Sequence, residues 1–513
     1  MKVYSYPPPV FISTKMSAFI GLDTLILTLI ILLLSASWRL YQKRKFYRNV
    51  TSKLPTLYGI PFIGLAYKFL DVKNVFHKIG VGFDTLKKST GCAWVGTTPY
   101  IMTVDPEVIK HVYSSPEFLE KAEDVYTQFQ NGLISGLIVS PGKKWKADRK
   151  AISPFLAHKN LIQLIPYFNE NANNVKNELA GLAERGEQDI FTIIKKCGLQ
   201  LSLLTIMGIE VEEGSEKYSN ILKAFNDYLD HMTVDLLLGW VGLRFLAHTP
   251  HYKRVIKYLH NLVRSLIKKS LARKVEPEDM NNFVEDKQML IELALKAMRQ
   301  GVFTEKDVEI ECFTMIAASY DTSVTATYTA IVALAMHPDI QERVFQEIRS
   351  VFPDGITSIE YDDLKKLPYF DMFIAETLRL TPPVPYIGRQ ASQDTELCPG
   401  VTIPKGMQVV LSIYELHRRK EIWGPDSTRF NPDNFLPENI AKRHPYSYMP
   451  FSKGPRNCIG FRYAEISLRI ILIHAVRSLK FSTNFKYEDI VYMPNVTLGY
   501  HIQPRVSIEV RSN

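Results

Sequence analysis

Apolar residues are distributed unevenly along this chain, and three stretches predict its main elements. From Ala18 to Trp38 about 21 mostly apolar residues run through Leu25-Ile26-Leu27-Thr28-Leu29-Ile30-Ile31-Leu32-Leu33-Leu34, enough at ~1.5 Å per residue to cross a bilayer core. A second helix opens at Thr304, where Asp307 completes a capping pair, and runs to His337 before Pro338 stops it, a length of about 48 Å. A third covers Leu367 to Leu380 and sets Glu376 and Arg379 three positions apart on one face, where they can pair. Between the first apolar run and the rest lies Lys53-Leu54-Pro55-Thr56-Leu57-Tyr58-Gly59-Ile60-Pro61-Phe62-Ile63-Gly64, a stiff turn segment because proline fixes φ and glycine permits sharp bends. Val234 to Val241 and Val384 to Ile387 are shorter apolar stretches, of the kind that forms core or membrane-dipping surface more often than a pocket.

Charge orients the first element. Arg39, Lys43, Arg44, Lys45 and Arg48 follow it, against only Lys2 and Lys15 before it, so the positive-inside rule places everything downstream on the cytoplasmic face. The expected organisation is an N-terminal extension at 1–17, with Met16 as an alternative start, a transmembrane signal anchor at 18–38, a basic and proline-containing linker at 39–64, and a body at 65–513. The net charge of +9 includes no run of Lys and Arg dense enough for nucleic acid, and the excess suits a membrane and an acidic partner. Five cysteines, sparse and odd in number, argue against a disulfide framework and for a reducing, cytosol-facing body.

One of those cysteines sits in Phe451-Ser452-Lys453-Gly454-Pro455-Arg456-Asn457-Cys458-Ile459-Gly460. Glycines at 454 and 460 allow a tight bend and close approach to a flat ligand, and Arg456 can meet a carboxylate and help keep the sulfur ionised. The middle of the long helix reads Met315-Ile316-Ala317-Ala318-Ser319-Tyr320-Asp321-Thr322-Ser323. An acid and a hydroxyl among small residues there are either a solvated face with local back-bonding or a proton-handling pair. Trp145 and Arg149 stand at i,i+4 and offer an indole N–H and a fork-shaped guanidinium to carboxylates. Lys143, Lys144, Lys146, Lys150 and Lys453 would cluster on the cysteine side, a basic patch able to steer an acidic electron donor.

Phe-x-x-Gly-x-Arg-x-Cys-x-Gly, Glu-x-x-Arg, Asp-Thr and Trp-x-x-x-Arg, behind an N-terminal anchor, together resemble the cytochrome P450 family, microsomal type. Tyr446-Ser447-Tyr448-Met449-Pro450-Phe451-Ser452 is most similar to family 4 and its insect relatives. The resemblance implies a mainly α fold with a smaller β region and an N-terminal transmembrane helix. It implies haem b, bound non-covalently except for a bond from Cys458 to iron, with Arg456, Trp145, Arg149 and Arg389 on the propionates and Phe451 at the loop. A thiolate ligand favours O–O cleavage. Asp321 and Thr322 would be the catalytic acid–alcohol pair, and Glu376 with Arg379 a structural lock. The family usually completes that lock with a later arginine, where this chain has Asn434.

The implied activity is a monooxygenase that puts one oxygen atom of O2 into a lipophilic small molecule, with electrons from NADPH through cytochrome P450 reductase and cytochrome b5 as an optional second donor. The implied location is the endoplasmic reticulum membrane, single-pass, with the body facing the cytosol and touching membrane lipid but no nucleic acid. Substrate would meet the pieces near 118–140, 220–250, 313–322, 383–388 and 496–501. Family 4 often esterifies haem through a glutamate in the long helix. The aligned residue here is Ala318, which removes that bond, and Ser319 replaces a glycine and would add a hydroxyl to the oxygen groove. Two alternatives follow from that altered groove: a haem carrier or sensor without turnover, and a haem-thiolate isomerase. Retention of both Asp321 and Thr322 argues for the monooxygenase.

Overall fold

In the computed structural model, residues 13–511 are described apart from 131, 213, 241, 273–288 and 357, with backbone alone for 13–23, 128, 130, 240, 270 and 272. Residues 1–12 of the expected extension therefore lie outside the described residues. The apolar run forms α1 (Ser13–Phe46), a single helix of 34 residues. Its stretch Thr24–Phe46 is long and apolar enough to cross a membrane. No proline or glycine follows Trp38 until Pro55, and the helix continues through Arg39, Lys43, Arg44 and Lys45. The chain divides into two compact units at Lys53 and Leu54, at the start of the proline-containing segment.

The second unit is built from helices around a small mixed sheet. The helices that matter for the site are α2 (Gly142–Ile152), α3 (His158–Ala180), α4 (Phe191–Met207), α5 (Glu216–Trp240), α6 (Glu305–Met336), α7 (Pro368–Leu380) and α8 (Phe461–Ser478). The strands are β1 (Thr56–Leu57), β2 (Thr90–Val95), β3 (Thr98–Thr103), β4 (Glu120–Lys121), β5 (Tyr386–Gln390) and β6 (Gln408–Ser412), in the spatial order β1-β2-β3-β6-β5-β4. β3 runs parallel to β6 with Tyr100 opposite Gln408, and β4 runs antiparallel to β5 with Lys121 opposite Arg389. On β3, Pro99, Ile101 and Thr103 point inward in alternation, as the two-residue period of a strand requires.

α6 is the axis of the body. Thr304 and Asp307 form a reciprocal capping box at its start, and His337 before Pro338 ends it. Most of its residues from Val308 to Ala335 are buried, which explains why it shows no polar stripe: a helix covered on all sides is apolar on all sides. α4 packs along it, and α8 packs on α3.

Candidate active site

Cys458 lies three residues before α8, in a loop closed by bonds from Ser452 N–H to Met449 O (3.0 Å) and Cys458 N–H to Phe451 O (2.9 Å). The two glycines do different work. Gly454 has φ +73°, and a Cβ there would stand 2.3 Å from the Tyr113 carbonyl oxygen, so only glycine fits. Gly460 has an ordinary φ of −89°, and a Cβ there would meet nothing within 4 Å. Cys458 is exposed, whereas Cys92, Cys197 and Cys312 are buried. Enclosure by protein raises the Cys458 thiol above its ordinary range; the Gly460 N–H, Arg149 and Lys121 oppose that rise, and Glu465 adds to it. The start of α8 adds a helix N-terminus, which favours an anion. Phe451 packs at the loop's edge, with its ring 6.4 Å from Phe461.

Around this loop the protein gathers cations. Lys121 and Arg389 face each other across β4 and β5, a placement that repels unless a counter-charge intervenes. Arg389 and Arg456 are 1% and 7% exposed. Arg389 Nη1 donates only to the neighbouring Gly388 carbonyl at 3.2 Å. Arg456 donates through Nε to Leu119 O (3.1 Å) and through Nη2 to Ser140 O (2.6 Å). Arg389 Nη2 and Arg456 Nη1 are buried and have no hydrogen-bond partner among the described residues. Burial, then Arg389 and Arg456, hold the Lys121 ammonium well below its ordinary range, and burial, then Arg389, pulls Arg456 down to about 10. Buried charges are ordinarily paired. Two buried guanidiniums with unspent donors, beside Lys121, which donates to the Tyr126 hydroxyl at 3.4 Å, fit a ligand bearing carboxylates, as the two propionates of haem do. Trp145 is buried against them, with the Arg456 guanidinium 4.6 Å and the Arg149 guanidinium 5.7 Å from its ring.

Arg149 is placed differently from the expectation. It donates to the Asn457 carbonyl at 2.8 Å and to the Asn457 side-chain oxygen at 2.7 Å, which makes it a clamp on the cysteine loop. The basic patch is also smaller than expected. Lys144 is tied to Asp148 (3.2 Å) and Asp307 (2.8 Å), and Lys453 bonds the Pro445 carbonyl. Lys143, Lys146 and Lys150 remain exposed.

On α6, Thr322 Oγ1 donates to Ala318 O at 2.8 Å, back-bonding of the kind that bends helices. Asp321 lines a polar pocket with Lys195, Asn226, Asp230 and Thr497. Burial raises its carboxyl from 3.8 to about 6, against a lowering bond from Thr497. Ser319 corrects an expectation: its hydroxyl donates to Ser202 Oγ on α4 (2.9 Å) and to Ile316 O (3.1 Å), so it is engaged by the neighbouring helix and is not a free hydroxyl in the groove.

Glu376 and Arg379 stand apart from this site, fully buried on α7. Arg379 donates from Nε and Nη2 to the two Glu376 oxygens at 2.6 and 2.7 Å. Asn434 Nδ2 donates to Glu376 Oε1 at 3.2 Å, so an amide occupies the third place. Two further residues join the site that sequence reasoning missed. Lys121 gave no signal beyond one charge between Glu120 and Ala122. His417 Nδ1 donates to Arg379 O at 3.1 Å, and its Nε2 accepts from Met449 N–H at 3.0 Å. Burial lowers it to about 3, so it is neutral and couples the lock to the start of the cysteine loop.

Comparison with known proteins agrees with this geometry. The family model described as "Cytochrome P450" matches residues 54–504. The chain is 33% identical over 479 residues to "Probable cytochrome P450 313a4" of Drosophila melanogaster, covering 92% of this chain and 96% of that protein. It is 30% identical over 479 residues to "Cytochrome P450 4c21" of Blattella germanica, covering 91% and 95%. With "Cytochrome P450 4c3" of Drosophila melanogaster it shares 28% over 482 residues, covering 90% and 89%.

Proposed function

The chain belongs to the cytochrome P450 family, a family of haem-thiolate monooxygenases, and from that premise we propose that Cys458 is the axial ligand of a haem b iron and that the substrate is a lipophilic small molecule. Haem iron with a thiolate ligand supplies the oxygen-activating chemistry. The observation that carries the reading is the cluster of Lys121, Arg389 and Arg456, with unpartnered guanidinium nitrogens among the described residues, beside an exposed cysteine. Those cations would hold the propionates, Trp145 would pack beside them, and Arg149 would keep the loop in shape through Asn457. Phe451 would shield the sulfur from water.

Asp321 and Thr322 would handle protons. A carboxyl near 6 exchanges protons at neutral pH, which is what a general acid needs, and its polar pocket supplies a route to solvent. Thr322 would present its hydroxyl from the bend it makes with Ala318. Electrons would come from NADPH through cytochrome P450 reductase, steered to Lys143, Lys146 and Lys150, with cytochrome b5 as an optional donor. α1 would anchor the protein in the endoplasmic reticulum membrane with the body in the cytosol, consistent with the basic residues that close the helix.

The test is Cys458→Ala in the full-length protein. The wild type should show the reduced carbon monoxide band of a thiolate haem and the variant should lose it; a band retained by the variant would overturn the assignment. Reconstitution of the wild type with reductase and a panel of lipids and terpenoids should consume NADPH and yield hydroxylated products.

A further inference from the structure

The chain from Leu133 to Gly142 joins the predicted substrate region to α2, and it hangs from five separate elements. Leu133 N–H and Ile134 N–H donate to the Tyr228 hydroxyl of α5 at 2.7 and 3.3 Å. Gly136 N–H donates to Thr314 Oγ1 and Leu137 N–H to Glu311 Oε2, both on α6, at 3.2 and 3.0 Å. Ser140 Oγ donates to Asp148 Oδ2 of α2 at 2.9 Å, and Ser140 O accepts from Arg456 Nη2 of the cysteine loop at 2.6 Å. Gly142 N–H donates to Glu120 Oε1 of β4 at 3.0 Å. This strap therefore links the helix that carries Asp321 and Thr322 to the loop that carries Cys458.

Glu311 is the unusual member. It is 1% exposed, and a Cβ on residue 136 would stand 2.6 Å from its carboxyl group, so Gly136 is shaped around it. A hydroxyl such as that of Thr314 would accept the same amide without the cost of burying an acid. We propose that Glu311 is a positioning residue: its carboxyl group fastens the strap to α6 and so holds the strap's far end, at Ser140, in register with Arg456. This rests on the haem-thiolate reading only for its consequence, that a loosened strap would release Arg456 from Ser140 at the loop that carries Cys458.

The clamp also titrates. Burial raises Glu311 from 4.5 to about 7; Leu137 N–H and Lys144 lower it, and Asp148 and Asp307 raise it. The raised value means that the closed strap binds the Glu311 proton more tightly than an opened one, whose solvated carboxyl returns toward its ordinary 4.5. Closure is therefore favoured below about 7, and the strap should open more readily as pH rises through that value.

Hydrogen–deuterium exchange on the full-length, detergent-solubilised protein tests this, with rates corrected for intrinsic pH dependence. In the wild type, protection at Gly136 and Leu137 should fall about tenfold from about pH 6 to about pH 8. Glu311→Gln should abolish that fall and exchange about tenfold more slowly than wild type at the higher pH. Thr314→Val should accelerate Gly136 and leave the pH dependence intact. The proposal is overturned if Glu311→Gln matches the wild type in this segment, or if it accelerates exchange equally throughout the chain. A carbon monoxide spectrum on the same samples separates the two readings: a missing thiolate band with the expected exchange pattern would count against the haem assignment and not against the clamp.

Discussion

Two buried charged regions in this protein are built on opposite plans. Around α7, all five N–H donors of Arg379 are used: two on Glu376, and three on the carbonyls of His417, Ser427 and Arg429. Glu376 is likewise saturated by Asn431 N–H and Asn434. Around the cysteine loop, Lys121, Arg389 and Arg456 converge with guanidinium nitrogens left unbonded. A saturated pair is complete in the polypeptide alone. An unsaturated set of like charges is a fold waiting for something else, because an uncompensated buried charge costs several kcal/mol. The contrast separates residues that hold the protein together from residues that hold its ligand.

That contrast can be broken by mutation. The largest effect should come from Arg379→Ala, which strands Glu376 as an unpaired buried carboxylate at a cost of about 3–5 kcal/mol. The expected outcome is loss of soluble folded protein, read by thermal melting with and without haem. Asp321 is an intermediate case, a buried carboxyl whose charged neighbours do not neutralise it. Its folded value near 6 exceeds its ordinary 3.8, so the proton it binds favours the fold fully below about pH 4, and that contribution is lost as pH rises through about 6. Asp321→Asn should remove a stability slope of about 3 kcal/mol across that window, measured by denaturant unfolding at a series of pH values.

Lys121→Met and Arg456→Gln should act with opposite sign on the two forms of the protein. The haem-free protein should melt at a higher temperature, because a repulsion is relieved. The haem-loaded protein should lose its cofactor about ten- to a hundredfold faster, by the worth of one charged hydrogen bond, in a haem-transfer assay. If the haem-free form is destabilised instead, the division between structural and ligand-holding charge fails. The smallest effect, about 1 kcal/mol, should come from Asn434→Ala, which removes one long hydrogen bond from a saturated network.

What was legible in the sequence was local. The capping box at Thr304 and Asp307 spans four residues, and its geometry follows from that spacing. The bend at Gly454 and the Glu376–Arg379 pair are local in the same sense. What was not legible depends on partners far along the chain. Lys121 acquires its meaning only when a two-residue strand pairs it with Arg389, and such a strand carries no periodicity. The direction of the Ser319 hydroxyl is set by Ser202 on another helix. Arg149 matched the expected motif, yet its bonds go to Asn457, because the motif gives spacing and not the direction of a long side chain. The anchor was read as 18–38 from its apolar run; backbone helicity does not require apolar residues, and the helix persists to Phe46.

The order of strands in the sheet has a consequence for how the protein is made. β3 cannot find its parallel neighbour until Gln408 to Leu411 exist, about three hundred residues after Tyr100 to Thr103. At roughly 5–20 residues per second of synthesis, that interval is about 15 to 60 seconds. Throughout it, one edge of a newly made hairpin stays unpaired on a ribosome-bound chain, and unpaired edges recruit other chains. Biogenesis should therefore depend on holding chaperones during elongation, and slowing translation should lower the yield of this protein.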